Sequence, residues 1–209
     1  MTVKPPLLDH RKTGSKIANM AIISAKTIIT SLSLFHVTLA YFFITSPATI
    51  ADQGLVYILG ESMGMPHARS FENKSPALAF LAAVLGMLGF SDLVTLSMPD
   101  EVWLIYHWGT QAPFRLFLSM TFVIYTFLFG PSSPLYGGST RDGSRLAHPL
   151  AQANNPRYTP STWGGDGLKN RVFLTFAFVE MVCWFWVWMT LREEQEQFQK
   201  KQRSRRDSQ

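Results

Sequence analysis

The chain reads as an all-α protein. The expected architecture is a four-helix transmembrane bundle, with a short interfacial helix between spans one and two, a flexible loop before span four and a cytosolic helical tail. Three observations lead there. Four apolar runs of about 18 to 23 residues match the ~20 residues a helix needs to cross roughly 30 Å of hydrocarbon. Within them the apolar residues run continuously instead of alternating, which argues against transmembrane strands. The 16 Phe and 6 Trp lie largely in or beside the same runs, where soluble proteins rarely put them.

Averages conceal this pattern. Mean hydropathy is only +0.08 and the apolar fraction 47%, because polar loops and tails dilute the runs. The net charge of +5 is concentrated at the termini, in Lys4, Arg11, Lys12 and Lys16 and again in Lys200, Lys201, Arg203, Arg205 and Arg206. Nucleic acid could attract such tails, but with apolar spans between them the expected partner is the bilayer, whose anionic lipids favour Lys and Arg. No direct nucleic-acid contact is expected. A single cysteine, Cys183, excludes an internal disulfide and reads as a buried, inert thiol. No secretory signal peptide is visible. The chain divides into a basic cytosolic segment 1–26, a membrane domain 27–198 and a basic tail 199–209.

Span one is expected at 27–46, closed by Pro47, and span two at 76–98, closed by Pro99. The polar connection between them holds a short helix, Thr49 to Met63, too short and too polar to span. Ile50, Leu55, Ile58 and Leu59 would share its apolar face. It is expected to lie in the interface or to be partly re-entrant, or else to pack as a cap on the bundle. The segment Pro99 to Ala112 reads as a short loop whose Trp103, Tyr106, His107 and Trp108 suit the headgroup zone. Span three is placed at 113–130, opened by Pro113. The stretch 131–170 is rich in Gly, Pro, Ser and Asn and lacks apolar periodicity, so a flexible loop is expected. Span four, 172–191, continues into water, where Glu194 and Phe198 share a face before the last residues fray.

Four spans put both termini on one side. The positive-inside rule makes that side cytosolic, although the basic loop before span four fits the rule poorly. Arg203, Arg205 and Arg206 resemble an arginine-based retention signal of the endoplasmic reticulum; a generic basic tail reads the same way. Asn73-Lys74-Ser75 is formally a glycosylation acceptor, followed at once by Pro76 and the membrane.

Four ionisable residues lie inside the spans: His36, Asp92, Arg115 and Glu180. Each costs about 2.5–3.5 kcal/mol or more at the bilayer centre, so each needs a partner. Asp92 and Arg115 lie near the same boundary and form a candidate ion pair between spans two and three; alternatively Arg115 snorkels alone. His36 and Glu180 lie at mid-depth, where a hydrogen bond would serve as helix–helix glue more readily than as a proton relay. In span two, Ala82, Gly86 and Gly89 offer a small-residue packing face. No catalytic, metal-binding or phosphate-binding motif stands out, so neither an enzymatic activity nor a cofactor is expected.

"GMLGFSDLVTL", "APFRLFLSMTF", "FVEMVCWFWVWMTLREEQEQF" and "YILGESMGMP" resemble landmarks of a fungal membrane-protein family, the increased-loss-of-mitochondrial-DNA family. Asp92, Arg115, Glu180, Arg192, Glu193 and Glu194 carry the match, and His36 is not part of that pattern. The resemblance implies a multi-pass protein of the endoplasmic reticulum, with peroxisomal or mitochondrial membranes as alternatives. It implies a link to mitochondrial genome stability and to lipid balance, and defines no biochemical activity. Two functions remain open. One is a scaffold or accessory subunit bound to a larger endoplasmic-reticulum membrane protein. The other is a lipid- or ion-handling protein whose polar cavity is lined by Asp92, Arg115 and Glu180.

Overall fold

The computed structural model describes residues 23–99, 101–130 and 164–207. The basic segment 1–22 and the stretch 131–163 of the expected flexible loop lie outside the described residues. Among the described residues every regular element is helical. The chain forms α1 (Ala25–Thr45), α2 (Pro47–Ala51), α3 (Gly54–Ser62), α4 (Pro76–Thr95), α5 (Trp108–Leu128) and α6 (Arg171–Asp207). Four helical segments are long and apolar enough to cross a membrane: α1, α4, the stretch Val102–Leu128 that contains α5, and α6.

Side-chain caps set several helix starts. The Ser24 hydroxyl accepts from the Thr27 amide at the head of α1, and the Ser75 hydroxyl from the Leu78 amide at the head of α4. Asn170 Oδ1 accepts from the Phe173 amide at 2.9 Å and so caps α6. Prolines at the first positions of α2 and α4 need no partner for the donor they lack.

Two expectations need correction. The short helix between spans one and two is two helices, broken at Asp52–Gln53, where Gln53 turns extended. Its buried face is Ile50, Val56 and Gly60, while Leu55 and Ile58 point outward with 57% and 67% exposure. The reason is Gly60, which lets α3 settle against the side chain of Arg171. The second correction concerns the supposed loop before span three. Val102–His107 is wound as a π-helix and runs directly into α5, so Pro113 is internal. Gly109, one turn before Pro113, leaves room for α6: a Cβ there would stand 2.7 Å from Gln195 Nε2. Trp103 and Trp108 are buried against α1 and α6 instead of facing headgroups; Tyr106, 72% exposed, does face outward.

Most helix contacts fall within two pairs, α1–α4 and α5–α6, and α1 also meets α6 to join them. The first pair is antiparallel. Gly86 faces Ala40, and Gly89 faces Ser33, His36 and Val37. A Cβ at Gly89 would stand 2.7 Å from the Ser33 carbonyl oxygen, so only glycine permits this approach. The same atom at Gly86 would meet Ala40 Cβ at an ordinary 3.6 Å. Ala82 is buried on the same face.

The last helix is unbroken for 37 residues. Its inward stripe runs Val172, Ala177, Glu180, Trp184, Val187, Leu191 and continues at helical spacing through Phe198. Beyond Leu191 the contacts turn polar. Glu194 Oε1 accepts from the Ala25 amide at 2.9 Å, where a carboxylate also complements the α1 dipole. The Gln195 amide donates to the Leu104 carbonyl at 2.8 Å, and Gln202 to Glu101 at 2.8 Å. These contacts keep the tail helical to Asp207, where fraying was expected. They also bring the start of α1 and the extension of α6 to the same end of the bundle.

Candidate functional site

The four ionisable residues of the spans belong to one cluster that reaches all four long helices. Glu180 on α6 sits at its centre. Its Oε1 lies 2.7 Å from Nε2 of His36 on α1, and its Oε2 accepts from the indole Nε1–H of Trp184 at 2.7 Å. Trp184 follows Glu180 by four residues, so both project from one face of α6. The Trp184 ring stacks on Trp108 of α5, with centroids 5.4 Å apart and planes 18° from parallel.

Arg115 joins this stack. Its guanidinium carbon lies 4.9 Å from the Trp184 ring centre and 5.2 Å from that of Trp108. A desolvated cation over an aromatic face is stabilised by the ring quadrupole. The same guanidinium donates to both oxygens of Asp92 on α4, at 2.6 and 2.9 Å, and through Nε to Gln111 Oε1 at 3.2 Å. The two parallel bonds to Asp92 give the geometry that lysine cannot reproduce. Arg115 therefore does not snorkel alone.

Two buried polar atoms have no hydrogen-bond partner among the described residues, His36 Nδ1 and Trp108 Nε1. An orphaned buried group of this kind costs about 1–3 kcal/mol. His36 is 1% exposed, so the cost falls on a side chain already committed to Glu180.

Beside the cluster runs a groove of about 510 Å³. Leu88 of α4 forms one wall and Phe114, Leu118 and Phe122 of α5 the other; His36, Arg115 and Glu180 supply its charged and ionisable lining. The Asp92–Arg115 bridge ties α4 to α5 there. The expected lining set needs one correction. Arg115 and Glu180 line the groove, and His36 with them, but Asp92 does not, because both its oxygens are turned onto Arg115. A second cavity, of about 380 Å³, lies between α1, α3, α4 and α6 and is almost wholly apolar. Phe176 lines both.

Sequence reasoning missed three contributors. Trp108 and Trp184 hold the cation, and the only sequence signal was the four-residue step from Glu180 to Trp184. The third is Arg171, at the head of α6. It pairs with Glu61 at 2.6 Å and donates to the Met65 carbonyl at 2.7 Å. Its guanidinium also lies 5.5 Å from the Tyr57 ring centre. Gly60 leaves the room, because a Cβ there would collide with the Arg171 side chain. This latch pins the α3 segment to the start of α6. At the far end of α6, Arg203, Arg205 and Arg206 are exposed on helix, not on extended chain.

Neither the curated proteins nor the solved structures compared with the chain include a match. A family model described as increased loss of mitochondrial DNA protein 1 matches residues 23–201, which takes in every described helix up to Lys201. Asp92, Arg115, Glu180, Trp184 and the Arg171 latch all fall inside that match. This chain, a multi-pass membrane protein, belongs to the Ilm1 family.

Proposed function

We propose that this protein is a non-enzymatic accessory subunit of the endoplasmic reticulum membrane, bound to a larger membrane protein there. Its effect on mitochondrial DNA is indirect, through membrane lipid balance, without contact with nucleic acid. The observation that carries the reading is the extension of α6. A charged helix is held straight beyond the apolar stripe by Glu194, Gln195 and Gln202, and ends in exposed Lys200, Lys201, Arg203, Arg205 and Arg206. Fixing a basic surface in place reduces the ordering cost of docking an acidic segment of a partner. The internal pairing of Asp92 with Arg115 and of Glu180 with His36 supports a structural use of the intramembrane charges. The same basic end, by the positive-inside rule, faces the cytosol.

The test is affinity purification from native membranes in mild detergent. The expected outcome is a stoichiometric partner that is lost when Lys200, Lys201, Arg203, Arg205 and Arg206 are all changed to Glu and the helix content is unchanged. A wild-type protein recovered as a lone monomer, with crosslinking yielding no partner, would overturn the reading.

A further inference from the structure

We infer that the groove between α4 and α5 is a binding site for an uncharged membrane lipid bearing a free hydroxyl, of the diacylglycerol or sterol type. The inference goes beyond the docking role of the α6 extension and uses different residues.

The first support is shape and position. Leu88 on one side and Leu118 and Phe122 on the other present hydrocarbon, while His36, Arg115 and Glu180 present polarity. A groove with this division matches an amphiphile, its head on the cluster and its chain along the apolar walls. Leu88 and Leu118 are 36% and 41% exposed, so the walls continue to the outer, lipid-facing surface.

Unmet hydrogen bonding is the second support. Arg115 has five N–H donors, and three are engaged by Gln111 and Asp92. The hydroxyls of Thr110 and Ser119 donate to backbone carbonyls and keep their acceptor capacity. A ligand hydroxyl both donates and accepts, so it can meet an acceptor and a donor of this lining together.

Charge selects among headgroups. Two carboxylates, Asp92 behind the groove and Glu180 in its lining, stand against the one guanidinium of Arg115. The lining and the carboxylate behind it together therefore have no net positive charge to offer a phosphate. An anionic lipid would lose its hydration against Glu180, which selects against an acidic headgroup.

The experiment uses the full chain in phosphatidylcholine nanodiscs carrying a diazirine-tagged diacylglycerol or a diazirine-tagged sterol. For at least one probe, labelled peptides should concentrate on Phe114–Phe122 and Phe176–Glu180. Untagged probe should compete, and phosphatidic acid at equal mole fraction should not. Leu88→Trp narrows the groove without touching the ionic cluster and should abolish site labelling. Ser119→Ala should lower it about tenfold, the fold-change of one lost hydrogen bond of ordinary strength. Labelling spread evenly over all lipid-facing helices, with neither variant changing it, would overturn the proposal. Competition by phosphatidic acid equal to that by the untagged probe, or stronger competition by a long-chain amine, would overturn the uncharged-headgroup assignment.

Discussion

At Arg115 three kinds of interaction converge on one guanidinium: paired bonds to Asp92, a bond to Gln111, and the faces of Trp108 and Trp184. Removing either end of such a pair strands the other charge in a low-dielectric interior. Asp92→Ala and Arg115→Ala should each cost roughly 3–5 kcal/mol, and the double variant far less than their sum. Arg115→Lys should recover little, since an ammonium can neither grip both oxygens nor present a planar face to the two indoles beside it. Denaturant unfolding of the detergent-solubilised protein, followed by tryptophan fluorescence, measures all four variants. Strict additivity of the two alanine changes would refute the coupling. His36, Asp92, Arg115 and Glu180 could be singled out from sequence because ionisable groups stand out in apolar runs. The two tryptophans could not, because a tryptophan in such a run looks the same whether it faces lipid, headgroups or a cation.

Helix pairs set the next level. The α1–α4 contact is close only because Gly89 lets the Ser33 carbonyl approach; Gly86 has ordinary room. Gly89→Ala should therefore destabilise the protein by about 1–3 kcal/mol, while Gly86→Ala should be neutral or slightly stabilising. The same unfolding assay separates them, and equal effects would contradict the packing described. That there are four long apolar helices was legible, because hydrocarbon thickness sets the run of apolar residues a span needs. The start of span three was not, since Pro113 reads as a helix start and the buried role of Trp103 and Trp108 depends on helices distant in sequence. Tail order was half legible: Glu194 and Phe198 signalled a shared face, but Ala25, which Glu194 holds, and Trp103 and Trp108, in the buried cluster Phe198 packs against, lie on other elements. Replacing Glu194 and Gln195 together by alanine should free the tail. Trypsin should then cut after Lys200 and Lys201 markedly faster, with cleavage rates compared by mass spectrometry.

For the whole molecule, the contacts Glu194–Ala25 and Arg171–Glu61 mark opposite ends of the bundle. Topology can be read from those ends. In a Cys183→Ala background, Ser204→Cys in intact microsomes should react with a membrane-impermeant maleimide. Ser70→Cys, near the latch, should react only after permeabilisation. The reverse pattern would invert the orientation proposed for the protein. Between the two ends, α6 runs unbroken for 37 residues, a rod of about 55 Å. Such a rod is braced at both ends, by Arg171 at its head and by Glu194, Gln195 and Gln202 beyond the apolar stripe. Without the second brace, a tilt of about 10° about the head would carry Asp207 through roughly 10 Å. The Glu180–Trp184 turn sits a third of the way along it. The tail contacts therefore keep the basic tip still where an unbraced rod would amplify a displacement at that turn about threefold.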